Sequence, residues 1–183
     1  ANSVSEYIVA ALLALGRRHG FDLEGRRIGV VGCGQVGGRV VRKCRALGME
    51  VLRNDPPLAA VSADPDYFPL DEVLAAADIV TLHVPLVEHK PWPTRRLADY
   101  VFFEQLKPGA VFINSARGSV CDYDALLEAR RAGAVGRMVV DVWSPEPAIR
   151  NDVLKMADIA TPHIAGHSYE GKLNGTLACY REL

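Results

Sequence analysis

Short β-branched runs alternate with amphipathic stretches along nearly the whole 183-residue chain. The first run feeds a glycine-rich turn, and an acidic residue, Asp55, closes the second. Such alternation builds right-handed βαβ units. These observations predict an α/β fold, a doubly wound parallel sheet with helices on both faces. A chain of this length is expected to form one domain, spanning residues 1–183, with a substantial core.

Taken in order, Ser3 and Glu6 frame an S-x-x-E capping box at the start of a helix. Val4, Ile8, Ala11, Leu12 and Leu15 follow helical spacing, while Val9 and Leu13 widen the apolar surface beyond one stripe. A helix with that much apolar surface needs cover on more than one side. Residues 27–31 read as a buried strand, 32–37 as the turn and 36–47 as the following helix, which Gly48 stops. Residues 49–54 form the second strand, ended by Pro56-Pro57. A helix over 70–77 leads into a strand over 78–84. Three prolines make 87–94 a loop. A short helix over 102–106 precedes a strand over 110–114. Asp122 caps a helix running through Arg131, strands follow over 136–141 and 158–161, and Ser168 caps a last helix that runs into the C-terminus.

Composition narrows the function classes. Hydrophobic residues make up 49% and charged residues 23%, ordinary for a globular protein. A net charge of −1, with no basic cluster interleaved with aromatics, offers nothing to nucleic acid or an anionic membrane. No apolar run reaches the roughly 18 residues of a membrane span, and the first helix lacks the basic start of a signal peptide. The four cysteines, Cys33, Cys44, Cys121 and Cys179, are scattered without a C-x-x-C pair. That argues against a zinc site or disulfide framework and for reduced thiols in the cytoplasm. The histidines show no H-x-x-H or H-E-x-x-H spacing, so no metal is expected. His19 ends the first helix near its dipole, His89 is read as solvated, and His83 ends the third strand without an obvious partner.

Gly32-Cys-Gly34-Gln-Val-Gly37 matches G-x-G-x-x-G with a strand before it and a helix after it. Gly32 permits the tight turn, Gly34 lets backbone approach a pyrophosphate, and Gly37 lets the helix pack closely. Gln35 and Val36 would supply N–H groups at the helix N-terminus. Asp55 can accept both adenosine ribose hydroxyls and would repel a 2′-phosphate, which favours NAD over NADP. Arg53 points the same way as Asp55 by strand alternation and weakens that preference. Together these features predict an NAD(P)-binding, Rossmann-like domain. Cys33, inside the turn, reads as a small filler rather than a redox thiol.

Downstream lie Ser115-Ala-Arg117-Gly118, Asp141-Val-Trp-Ser-Pro-Glu146 and Thr161-Pro-His163. Oxidising a secondary alcohol needs a base for the hydroxyl proton and an acceptor for the hydride. Histidine suits the base role, a carboxylate beside it stabilises the imidazolium, and an arginine can grip a substrate carboxylate bidentately. His163, Glu146 and Arg117 fit those three roles, each after a predicted strand end. Taken singly, each is as easily a polar loop residue; their joint occurrence behind a dinucleotide turn makes the case.

Motifs across essentially the whole chain carry a family resemblance: Ala1-Asn-Ser-Val-Ser-Glu6, the glycine turn, His83-Val-Pro-Leu86, Leu106-Lys-Pro-Gly-Ala110, Asn114-Ser-Ala-Arg117-Gly118, Asp141-Val-Trp143, Glu146-Pro147 and Pro162-His163-Ile-Ala-Gly166. By these the chain resembles the D-isomer-specific 2-hydroxy-acid dehydrogenases. Asp55-Pro-Pro57, Pro91-Trp-Pro-Thr94, Leu97-Ala-Asp99, Glu170-Gly-Lys172 and Gly175-Thr176 give a finer resemblance. It is to the branch that oxidises 4-phospho-D-erythronate to 2-oxo-3-hydroxy-4-phosphobutanoate in vitamin B6 biosynthesis.

The resemblance implies Arg117 as substrate-carboxylate ligand, Glu146 as partner of the base and His163 as proton acceptor-donor. It implies that Asp55, Val84, Ser115, Ala116, Asp141 and Gly166 line the NAD site, and that His167 touches substrate. His167 stands where that branch carries tyrosine, and Val84 where threonine is usual. The resemblance also implies that this chain is the nucleotide-binding domain of a longer, homodimeric parent, without the substrate and C-terminal dimerisation domains, and is inactive by itself. Two alternatives stay open: another D-2-hydroxy acid, of the 3-phosphoglycerate or glyoxylate/hydroxypyruvate type, or a non-catalytic NAD-binding module.

Overall fold

A computed structural model describes residues 2–62 and 64–181. Its centre is a six-stranded sheet in the order β2-β1-β3-β4-β5-β6. The strands are β1 (Arg27–Val31), β2 (Glu50–Asn54), β3 (Ile79–Leu82), β4 (Ala110–Asn114), β5 (Val135–Val140) and β6 (Ile159–Ala160). Every neighbouring pair is parallel. The chain moves one way from β1 to β2 and returns past β1 to β3, so the strand order reverses at the β1–β3 crevice. Open α/β sheets bind ligands at such a switch point.

The helices are α1 (Asn2–His19), α2 (Gly37–Ala46), α3 (Pro56–Val61), α4 (Leu70–Ala76), α5 (Tyr100–Glu104), α6 (Tyr123–Ala132), α7 (Asn151–Met156) and α8 (Tyr169–Arg181). The strands' period of two divides their side chains between two cores. Val111 and Ile113 of β4 join Ile8, Leu12, Leu15 and Val40 under α1 and α2. Ala110 and Phe112 of the same strand turn the other way, to Leu74, Phe102, Phe103 and Leu126. There Phe102, Phe103 and Phe112 pack edge to face, with centroids 5.1–6.1 Å apart. Strands buried on both faces explain the continuous apolar runs read from the sequence.

Some expectations need correction. Ser3 does not cap α1; it lies inside the helix, which already includes Asn2. The Asn2 side chain donates to Glu6 Oε1, and Ser5 Oγ donates to the Asn2 carbonyl. Ala1 lies outside the described residues. Pro56-Pro57 ends β2 but also opens α3, because proline is tolerated where a helix's first N–H groups have no partner. Two short elements, α7 and the 3₁₀ turn Gly118–Val120, carry too few residues for a readable apolar period. Val9 is half-buried and Leu13 is 51% exposed, so α1 keeps an uncovered apolar margin. Asp122 and Ser168 do cap α6 and α8; Ser168 Oγ accepts from Gly171 N at 3.0 Å. Residues 182–183, into which α8 was expected to run, lie outside the described residues. Among the described residues no helix is long and apolar enough to cross a membrane, and no group of three potential ligands could hold a metal ion.

Candidate active site

Because all six strands run parallel, their carboxyl ends form one edge, and the loops leaving that edge carry every site residue named above. The glycine turn leaves β1. Gly32 has φ +87°, and a Cβ there would lie 2.8 Å from the His83 carbonyl carbon. A Cβ on Gly37 would come within 1.8 Å of the Gly32 carbonyl oxygen, so only glycine allows the turn to close onto α2. Gly34 has nothing within 4 Å, which leaves its backbone open to a ligand. No side chain caps α2 at Val36; Gly38 N and Arg39 N already donate to the Gly34 and Val36 carbonyls, and the N–H groups of Gln35 and Val36 are the ones left to an anion.

Asp55 leaves β2 half-buried. Its Oδ2 accepts from Cys33 N at 2.7 Å and its Oδ1 from Leu58 N at 3.0 Å. These two bonds fix the carboxylate at the turn and leave each oxygen a further lone pair for a ribose hydroxyl. Arg53, the rival phosphate ligand, is engaged elsewhere. It pairs with Asp64 at 2.8 Å and Asp66 at 3.2 Å, and its guanidinium stacks 4.5 Å from the Tyr67 ring centroid. Cys33 is not a reactive thiol, since burial and then the Asp55 carboxylate push its pKa up to about 12. Gly32, Gly34, Asp55 and half-buried Val84 line a largely apolar cleft of about 350 Å³.

Further along the edge, two buried polar atoms have no partner: Ser115 Oγ after β4 and His83 Nδ1 after β3. Buried polar groups rarely stay unpaired, so a ligand that satisfies them fits this edge. Together with the open turn, they fit an extended dinucleotide. His83 Nε2 lies 3.0 Å from Thr81 Oγ1, and burial lowers the ring's pKa to about 4, so it is neutral at pH 7. Ala116 is buried; its N–H donates to Asn114 Oδ1 at 3.1 Å, while Asn114 Nδ2 donates to the Arg117 carbonyl at 3.2 Å. Buried Asn114 thus shapes the turn that presents exposed Arg117.

His163 and Glu146, the candidate base and its partner, meet across two loops. His163 Nδ1 lies 3.0 and 2.9 Å from the two Glu146 carboxylate oxygens. Glu146 Oε1 also accepts from Trp143 N at 2.8 Å. Burial alone would raise the Glu146 pKa, but the His163 and Trp143 bonds and the His163 and Arg117 charges outweigh it and hold it below the usual carboxylate value. An ionised carboxylate only accepts, so His163 Nδ1 carries the proton and Nε2 presents a lone pair outward. His163 adopts φ +57°, a left-handed conformation rare for a bulky residue and costing about 1–3 kcal/mol. Surrounding bonds impose it.

Asp141 imposes most of them. Expected among the cofactor-lining residues, it is 1% exposed and uses its carboxylate on Ile164 N, Ala165 N and Thr161 Oγ1. Its carbonyl accepts from His163 N at 2.7 Å. The buried Trp143 adds an indole N–H bond to the Thr161 carbonyl at 3.0 Å. Tyr7 of α1 reaches Thr161 Oγ1 at 2.7 Å. Sequence reasoning gave Asn114, Thr161 and Tyr7 no role, because each acts through a neighbour that only folding supplies. Gly166 and His167 are exposed beyond the same loop.

Residues 10–165 match the family model described as D-isomer specific 2-hydroxyacid dehydrogenase, NAD binding domain. The chain is 53% identical to erythronate-4-phosphate dehydrogenase of Salinibacter ruber, over 100% of this chain and 48% of that protein. It is 47% identical to the protein of the same name from Cronobacter sakazakii, over 96% of this chain and 47% of that protein. It also superposes on D-lactate dehydrogenase from Aquifex aeolicus, crystallised with NAD and lactic acid. That match has a TM-score of 0.79 and 26% identity, over 98% of this chain and 65% of that one. The chain therefore spans about half the length of the curated relatives it matches.

Proposed function

The chain belongs to the D-isomer-specific 2-hydroxyacid dehydrogenases, as their NAD-binding domain, and from that premise we propose that the full-length protein oxidises 4-phospho-D-erythronate with NAD. The product would be 2-oxo-3-hydroxy-4-phosphobutanoate, an intermediate of pyridoxine biosynthesis. The observation that carries the chemistry is the contact of His163 Nδ1 with both Glu146 oxygens, at 3.0 and 2.9 Å. The relatives that share this substrate in their name, at 53% and 47% identity, support the choice of acid.

In this reading the open glycine turn, Asp55 and the Ser115 hydroxyl hold NAD, which when bound supplies the hydride acceptor. Arg117 grips the substrate carboxylate and orients the neighbouring alcohol. His163 Nε2 takes the hydroxyl proton as the carbon-bound hydride departs, and Glu146 stabilises the imidazolium that results. His167 lies beside this machinery as a substrate contact. The remaining wall of the cleft comes from outside residues 1–183. The proposal includes a cytoplasmic location, supported by free Cys33, Cys44, Cys121 and Cys179, and a homodimeric full-length protein.

The test uses the full-length protein. His163→Ala should lower the hydride-transfer rate by about 10²–10⁴-fold and leave NAD affinity unchanged. A large loss of NAD binding would contradict the assignment of His163. Turnover of 3-phosphoglycerate or glyoxylate, without turnover of 4-phospho-D-erythronate, would overturn the choice of substrate.

A further inference from the structure

The cleft beside Asp55 is walled by a strap whose part in binding the motif reading left open. After β3, the chain from Pro85 to Thr94 loops out and returns to its own base. Thr94 Oγ1 donates to the Pro85 carbonyl and accepts from Val87 N, while Thr94 N donates to the Val87 carbonyl. At the tip Trp92 stands between Pro91 and Pro93. Their rings fix φ on both sides of the tryptophan and stiffen its presentation. Trp92 lines the cleft yet remains 41% exposed. A large aromatic that lines a cleft and stays partly exposed is suited to a flat ligand.

The order of groups along the cofactor identifies that ligand. The turn at Gly34 takes the pyrophosphate and Asp55 the ribose next to it, so the group beyond Asp55 is the base. The walls there are aliphatic, with Leu70, Val84, Val87 and Leu97. An uncharged purine matches them and a phosphate or carboxylate does not. We propose that Trp92 is the adenine-recognising residue of this protein, stacking its indole on the base as the strap closes the cleft. The family match runs through the strap but gives Trp92 no role.

Because this inference rests on NAD binding, its test separates the two ends of the cofactor. Binding of NAD, ADP-ribose and nicotinamide mononucleotide to the full-length protein is measured by calorimetry for the wild type, Trp92→Ala and Trp92→Phe. Trp92→Ala should weaken NAD and ADP-ribose by about 10–100-fold, and Trp92→Phe should retain most of the affinity. Nicotinamide mononucleotide, which lacks adenine, should bind all three proteins alike. Wild-type affinity for ADP-ribose in Trp92→Ala, or an equal loss of nicotinamide mononucleotide binding, overturns the assignment of Trp92 alone. A wild type that binds none of the three overturns the NAD reading with it.

Discussion

His83 sits under the glycine turn, its N–H bonded to the Val31 carbonyl at 2.7 Å. Its ring would first accept a proton near pH 4 in the folded chain and near its ordinary 6.5 when unfolded, because burial disfavours the charged form. Between those values the unfolded chain binds more protons, so folding stability must fall as pH drops from about 6.5 toward about 4. His83→Asn should flatten that part of the curve, read as the denaturant midpoint against pH. An unchanged slope in the variant would show that other groups cause it. His83 was legible only as a strand-end histidine without a partner, since burial of its Nδ1 exists only in the folded chain.

Among the elements, α1 has the least expected role. Its spacing marks an over-apolar helix in need of cover, and it also braces the His163 loop from a distance. Thr161 has one hydroxyl proton, and Asp141 Oδ1 takes it at 2.5 Å. Tyr7 must therefore donate to Thr161 Oγ1. Burial raises the Tyr7 pKa, and the nearby Asp141 charge adds to the effect, so the phenol keeps its proton at neutral pH. This chain of bonds ends on the residue whose carbonyl and carboxylate fix the His163 loop. Tyr7→Phe removes one bond worth about 0.5–1.5 kcal/mol. It should lower kcat severalfold in the full-length protein with KM for NAD unchanged, as steady-state kinetics would read. Equal changes in both parameters would mean that α1 does no more than hold the fold. Helical spacing identified α1's buried face, but Tyr7 and Thr161 lie 154 positions apart, and nothing local links them.

At the scale of the whole molecule, the two ends of the sheet are held by different means. The carboxyl edge is left open for ligands. At the opposite end Asp158 ties three elements together, α1, α6 and β5. Its Oδ2 accepts from Met138 N at 3.0 Å, and its carboxylate lies 3.4 Å from Arg130, 3.5 Å from Arg137 and 3.4 Å from His19. Its side chain is only 11% exposed, so these charges are poorly screened. Asp158→Asn should cost about 1–3 kcal/mol, measured by denaturant unfolding. A loss below about 0.5 kcal/mol would place this cluster with ordinary surface ion pairs.

Residues alone determined the alternation of elements and the glycine turn with Asp55, and singled out Arg117, Glu146 and His163 as candidates. These follow from local sterics and apolar period, which act over a few neighbouring positions. Tertiary structure decided which groups touch. It engaged Arg53 with Asp64, Asp66 and Tyr67, made Asp141 the anchor of the His163 loop, and left Ser115 Oγ and His83 Nδ1 unpaired at the edge. Each of these depends on burial and on bonds between distant segments. Hydrogen-bond direction and desolvation exist only once the sheet has brought those segments together.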